Sequence, residues 1–218
     1  MKDVLTVDIY SDVVCPWCYV GKRRFERALS HLPQVAVQVT WRPFELNPTL
    51  PQEGVDRTSY LEAKFGSLDS YQRLEQQVAA AGASEGIDFA FDKMRRTPNT
   101  FLAHRLIWYA GQRGHQQAIV DGLFQAYFEQ GADLGSISIL TDVAESVGLD
   151  VGRFLGSEEG TAEVKAEEAA GHRLGIRAVP YFVLNKIYGI SGAQPVEVFV
   201  GAMENIRARQ AEGRLSRK

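Results

Sequence analysis

The chain has 218 residues, 45% of them hydrophobic and 23% charged, enough to bury a full core and a second lobe. Its formal net charge of -3 excludes a basic nucleic-acid footprint, which needs clustered Lys and Arg to displace counterions from phosphates. No run approaches the roughly 20 apolar residues that a membrane helix needs, and two cysteines are too few to staple a chain of this length.

At the amino terminus, "MKDVLTVDIYSD" has an apolar run broken by Asp8 and Asp12, so no signal-peptide core forms. The chain is therefore expected to be cytoplasmic, with neither nucleic acid nor membrane as a partner. Leu5 to Tyr10 reads as a first strand. A helix follows, its apolar positions Phe25, Ala28, Leu29 and Leu32 at 0, 3, 4 and 7, with Pro33 ending it. In "QVAVQVTW", Val35, Val37, Val39 and Trp41 alternate at period two and predict a second strand.

The Pro-rich stretch "PFELNPTLP" reads as an extended loop. Helical patterns then run from about Thr58 to Leu174. Four of them end at Gly82, Gly111, Gly131 and Gly148, a common carboxy-terminal helix signal, and Gly175 follows the fifth. "VPYFVLN" and "IYGIS" flank Asn185-Lys186 and predict a hairpin. Pro195 opens a last helix. Strand-helix-strand, a helical block, then hairpin and helix fits a βαβ half and a ββα half sharing one sheet, with the helical block inserted between them.

Both cysteines lie in "SDVVCPWCYVGK", residues 11–22. Extending the helical stripe back from Phe25 by seven places Cys18 on the buried face, while Cys15 sits at the helix mouth. One thiol is expected exposed and the other sheltered. Pro16 suits the first helical position, which makes Cys15 the N-cap. There its sulfur faces unpaired backbone N–H groups and the positive end of the helix dipole, which favour an anionic nucleophile. The i, i+3 spacing also brings the two Cα atoms within disulfide range. Two plainer readings compete. Half a zinc site would need further ligands, and His31, His104, His115 and His172 are not at paired-ligand spacing. Two inert core cysteines would fit better if Cys15 lay inside the apolar stripe rather than before a proline.

Together with "NTFLAHRL", "GIRAVPYFVLN" and "GISGAQPVEVF", this segment resembles the FrnE-like group of the DsbA family, over nearly the whole chain and in the same order. The resemblance implies an α/β thioredoxin fold with a large all-helical insertion. Residues 1–50 and 175–218 would form a discontinuous thioredoxin-like domain, and 51–174 the insertion. It also implies redox catalysis by Cys15 and Cys18 and a cis Val179–Pro180 peptide packed against them. A proline opening that strand would leave the Val179 backbone free to pair with an extended substrate.

Other residues carry two readings each. Trp17 is either an apolar platform for substrates, beside Pro16, or a packing residue against the insertion. Asp12 is either a proton relay or a turn residue. In "NTFLAHRL", Asn99 and His104 resemble a segment of the active-site wall, though Asn99 also suits a helix cap and His104 a packing position. Lys22, Arg23, Arg24 and Arg27 read as a solvated face, or as a patch attracting anionic substrates such as glutathione.

The function expected is thiol-disulfide exchange on protein or small-molecule disulfides, with no bound cofactor or metal and with glutathione as a candidate co-substrate. The alternative is a glutathione-dependent transferase or isomerase of the kappa and 2-hydroxychromene-2-carboxylate isomerase type. Those relatives usually have serine where this chain has Cys15, and they lack a thiol at the Cys18 position. A binding or chaperone module is a third class.

Overall fold

The computed structural model describes residues 4–215. The first strand, β1 (Leu5–Ser11), feeds α1 (Pro16–Ser30) and then β2 (Val37–Pro43). After the extended loop, a two-residue strand β3 (Val55–Asp56) leads into α2 (Arg57–Phe65) and α3 (Leu68–Ala83). A short β4 (Arg96–Thr97) precedes α4 (Phe101–Gly111), α5 (Gln116–Phe128), α6 (Ile137–Ser146), α7 (Gly152–Leu155) and α8 (Thr161–Arg173). The chain closes with β5 (Tyr181–Leu184), β6 (Tyr188–Ser191) and α9 (Val196–Leu215). The expected thioredoxin-like portion includes residues 1–3 and 216–218, which lie outside the described residues.

Four strands form one sheet in the order β2-β1-β5-β6. β1 pairs parallel with β2, Leu5 opposite Val37 through Ser11 opposite Pro43, and antiparallel with β5. The parallel pair needs a crossover, and α1 supplies it. Asn185 and Lys186 both take positive φ, 49° and 60°, and Ile187 N–H donates to Leu184 O at 3.1 Å. Positive φ at both central residues is what a type I′ hairpin turn demands.

Helix α1 packs in two directions. Phe25 meets Phe182 of β5 and Phe199 of α9 at ring distances of 5.5 and 5.6 Å. Tyr19 stacks on Phe124 of α5 at 4.9 Å, with Phe128 beyond it. One helix thus joins the sheet to the helical block through buried aromatic pairs, each worth about 0.5–1.5 kcal/mol beyond its area.

The basic run on α1 is a solvated face only in part: Arg27 and Arg23 keep side-chain exposures of 50% and 37%, whereas Lys22 and Arg24 are drawn inward. Lys22 is 1% exposed and pairs with Glu26 and with Asp121 of α5. Arg24 and Arg27 both reach Glu85, at 3.0 and 2.8 Å, and Arg24 also donates to Ala193 O. These charges tie α1 to the helical block, because the helices that cover it bring carboxylates to it. Lys22, Arg24 and Arg27 are thus each committed to a carboxylate.

One of the expected glycine stops differs slightly. Gly131, Gly148 and Gly175 have positive φ and follow their helices, and Gly111 is the last residue of α4, whereas Gly82 lies one residue inside the end of α3. At Gly82 the missing side chain serves packing: a Cβ there would collide with the ring of Phe89. The short β3–β4 pair, with Val55 opposite Thr97, had no periodic signal to reveal it.

Candidate active site

β1 ends in a tight turn in which Cys15 N–H donates to Asp12 O at 3.0 Å. The turn sets Cys15 at the N-cap of α1 with φ -93° and ψ 110°, and Pro16 occupies the first helical turn, as the sequence suggests. Cys15 O then accepts from Cys18 N–H at 3.0 Å and Tyr19 N–H at 3.4 Å. The Cys15 thiol makes no capping bond; it contacts Val179 O at 3.7 Å. Both cysteines are free thiols.

The expected contrast in exposure is weaker than the sequence implies. Cys15 is 6% exposed and Cys18 1%. The loop before β5 covers the helix mouth, and it comes so close that a Cβ on Gly21 would sit 2.9 Å from Pro180 Cγ. The Val179–Pro180 bond in this loop is cis, and Pro180 O accepts from Gly192 N–H at 2.8 Å. The contrast lies in surroundings instead. Burial, then the hydrogen bond and charge of Cys15, push the Cys18 thiol well above the usual cysteine range, with the Ser11 hydroxyl and the Asp12 backbone partly opposing.

Behind this turn lies a buried group of titratable side chains. Asp12 is fully buried; one carboxylate oxygen accepts from Leu46 N–H at 2.7 Å and the other faces His104 Nε2 at 3.4 Å. Asp12 is thus a turn residue through its backbone only, since its side chain points away from the turn. Glu168 of α8 accepts from Glu45 N–H at 2.7 Å. Burial, reinforced by Glu168 and Asp12 and opposed by His104, pushes the Glu45 carboxyl up to about 7. For His104 burial opposes the charge, but Asp12, Glu45 and Glu168 outweigh it and raise its pKa.

In front of the turn, Trp17 is 39% exposed and, with Val14 and Pro16, forms one wall of a cleft of about 250 Å³. The opposite wall comes from α2 and α3, so Trp17 is both exposed and turned toward the insertion. Asn99 is not the N-cap of α4; Thr100 is. Asn99 still accepts from Phe101 N–H at 3.0 Å, and its amide donates to Leu50 O at 2.9 Å, so its hydrogen bonds secure the start of α4 and the loop beside it. Among the described residues no His, Cys, Asp and Glu are grouped so as to hold a metal ion, and no helix is long and apolar enough to cross a membrane.

Sequence reasoning missed Glu45, Glu168, Arg57 and Thr97, all close to this turn or its cleft. Each comes from a different segment, and none belongs to a local motif.

A family model for the DSBA-like thioredoxin domain matches residues 6–204. The uncharacterized protein YwbO of Bacillus subtilis (strain 168) is 31% identical over 203 residues, 91% of this chain and 96% of its own. The crystal structure of a probable DsbA oxidoreductase from Streptomyces coelicolor is 36% identical with a TM-score of 0.85, over 92% of this chain and 89% of that one. A 2-hydroxychromene-2-carboxylate isomerase shares the fold at 16% identity and a TM-score of 0.71, over 95% and 98% of the two chains. With the cysteine pair at a helix mouth and the inserted helices matching this pattern, the chain belongs to the DSBA-like thioredoxin domain family.

Proposed function

We propose that this protein is a thiol-disulfide oxidoreductase in which Cys15 is the nucleophile and Cys18 the resolving thiol. One observation carries the reading: two thiols one helical turn apart in unlike settings. Cys15 stands at the N-cap beside the Val179 carbonyl, and Cys18 is sheltered behind it with its proton held tightly.

In the reductive direction the Cys15 thiol gives up its proton to solvent and its sulfur attacks one sulfur of a substrate disulfide. A Cys15–substrate bond forms, and the other substrate sulfur leaves as a thiolate. That thiolate is a base able to take the Cys18 proton. Cys18 then attacks the Cys15 sulfur, the Cys15–Cys18 bond forms, and the second substrate sulfur leaves with its electron pair. Two electrons have passed to the substrate, and the oxidative direction is the reverse. The pair itself carries the electrons, so no bound cofactor is required, and glutathione is one thiol able to reduce the pair again. In a cytoplasm, the address the sequence suggests, the reductive or isomerising direction suits the glutathione pool. The Val179 backbone beside Cys15 and the Trp17 ring are the groups we assign to substrate binding, with Pro16 and Pro180 shaping the site.

The Cys18→Ser variant tests this directly: it should accumulate mixed disulfides on Cys15 that the parent protein resolves. Failure to trap any substrate would defeat the reading. A stable glutathione adduct on Cys15 of the parent protein, with turnover only in its presence, would favour the transferase or isomerase class instead. Substrate binding that survives loss of both cysteines would favour the binding-module class.

A further inference from the structure

The buried charges behind the turn reach the nucleophile through a single residue. Asp12 makes three connections: its carbonyl accepts from Cys15 N–H at 3.0 Å, one carboxylate oxygen accepts from Leu46 N–H at 2.7 Å, and the other stands 3.4 Å from His104 Nε2. It therefore joins the turn that carries Cys15, the loop after β2 and helix α4 of the insertion. The side chains of His104 and Asp12 are 2% and 0% exposed, so water screens neither charge.

A carboxylate in such a place is costly unless a charge is set against it, and the one hydrogen bond from Leu46 compensates only part of that cost. The remainder falls to His104. Asp12 on the turn, Glu45 on the loop after β2 and Glu168 on α8 all favour a proton on its ring, and together they outweigh its burial. Lys165 of α8 faces Glu45, and Tyr127 of α5 faces Asp12. The pair is thus an imidazolium and a carboxylate enclosed between two lobes, with the redox turn attached to the carboxylate.

We propose that His104 and Asp12 are positioning residues for thiol exchange: the His104 imidazolium holds the Asp12 carboxylate, and Asp12 holds the turn that presents Cys15. Both carboxylate oxygens face Leu46 and His104, so the role is to place the sulfur and not to move its proton. When His104 loses its proton, Asp12 keeps the Leu46 bond but loses its counter-charge, and the turn is no longer anchored to α4. Attack by Cys15 on a disulfide then becomes less efficient on the alkaline side of the His104 titration. Ionisation of the thiol acts in the opposite direction, since more thiolate gives faster exchange. The two effects can therefore be separated. The inference rests on Cys15 being the attacking thiol, as proposed above.

The test uses the full-length Cys18→Ser protein, in which Cys15 is the only thiol. Two second-order rates at Cys15 are measured from about pH 5 to 9: attack on the uncharged 2-hydroxyethyl disulfide, and alkylation by iodoacetamide. Alkylation reads the thiolate fraction, so the ratio of the two rates reads the positioning. The His104 ring is titrated on the same protein by NMR, its signal assigned by its loss in His104→Gln. The ratio should fall about tenfold as His104 loses its proton, less than the roughly hundredfold that a 1 Å misplacement costs. The midpoint should lie above 6.5, the ordinary histidine value. His104→Gln, which keeps a side-chain N–H without the charge, should give a level ratio at the low, alkaline value. Asp12→Asn keeps an oxygen for Leu46 N–H but removes the anion; it should lower the His104 midpoint and abolish the step. Glu45→Gln should move the step and the NMR midpoint together to lower pH. A ratio that stays level in the Cys18→Ser protein while His104 titrates, a step unchanged in His104→Gln, or a His104 ring that is neutral over the whole range would overturn the positioning role and leave the dithiol reading intact. No attack on the disulfide at any pH, with Cys15 still alkylated, would defeat the dithiol reading and this inference with it.

Discussion

The two sides of the turn at residues 12–18 are built on opposite plans. In front, the cysteine mouth and its cleft are lined mainly by apolar and aromatic side chains, and Trp17 is left partly exposed. Behind, Asp12, His104 and Glu45 are sealed from solvent, with polar atoms that lack partners. The reactive groups of the front, Cys15 and Cys18 with Trp17 between them, come from one stretch of chain, whereas the rear draws on four separate segments. The difference teaches where each kind of chemistry can be placed. Thiol exchange requires an approachable sulfur, so it sits at a helix mouth. Buried charge requires enclosure, so it sits where the insertion closes over the sheet.

The largest expected effect belongs to the front. Cys15→Ser should reduce disulfide turnover to background, measured with any accepted disulfide, and a variant retaining full activity would remove the distinction between the two sides. At the rear, Glu45→Gln should act on stability in a pH-dependent way. The folded protein holds this carboxyl near pH 7, above its ordinary 4.5, so ionisation is penalised. That penalty is absent below about pH 4.5, grows between there and 7, and is complete above 7. The substitution should therefore raise the melting temperature at pH 8 and leave it unchanged at pH 4, with a gain of at most about 3 kcal/mol. His104 works in the same sense: its raised pKa stabilises the fold below its ordinary value of 6.5, and that contribution fades as pH rises through the folded value. Thermal melts across pH 4 to 8 check both.

Two smaller effects probe the connections between the sides. Gly21→Ala places a Cβ 2.9 Å from the Pro180 ring and 3.4 Å from Ala193, so the loop over Cys15 must shift. It should cost about 2 kcal/mol by overpacking and lower turnover as well, measured by denaturant titration and disulfide reduction. Lys22→Met removes the buried ammonium that joins α1 to Asp121. Its carboxylate partners are over a third exposed and can return to water, so the loss should be about 1.5 kcal/mol with little change in turnover.

Most of the fold was legible because its signals are local. Period-two and period-3.6 patterns placed β1, α1, β2 and the major helices, and Asn185-Lys186 marked the hairpin. The mouth was equally readable, since Cys15, Pro16 and Cys18 set their own geometry within four residues. What sequence could not reveal depends on contact between distant segments. Lys22 looks like part of a basic surface until α5 brings Asp121 to it. Glu45 lies in a loop with no pattern, and only its burial, with Glu168 of α8 and Asp12 brought beside it, gives it a raised pKa. Thr97 and Arg57 meet through strands of two residues, too short to leave a periodic trace.

The central claim is that Cys15 and Cys18 act as one two-electron unit. It is tested most directly by equilibrating the protein across a graded glutathione redox series, alkylating free thiols and weighing the intact chain. The account expects a single transition in which both alkylations vanish together at a defined potential. Thiols that remain reduced throughout, or a chain carrying one stable glutathione on Cys15, would contradict it.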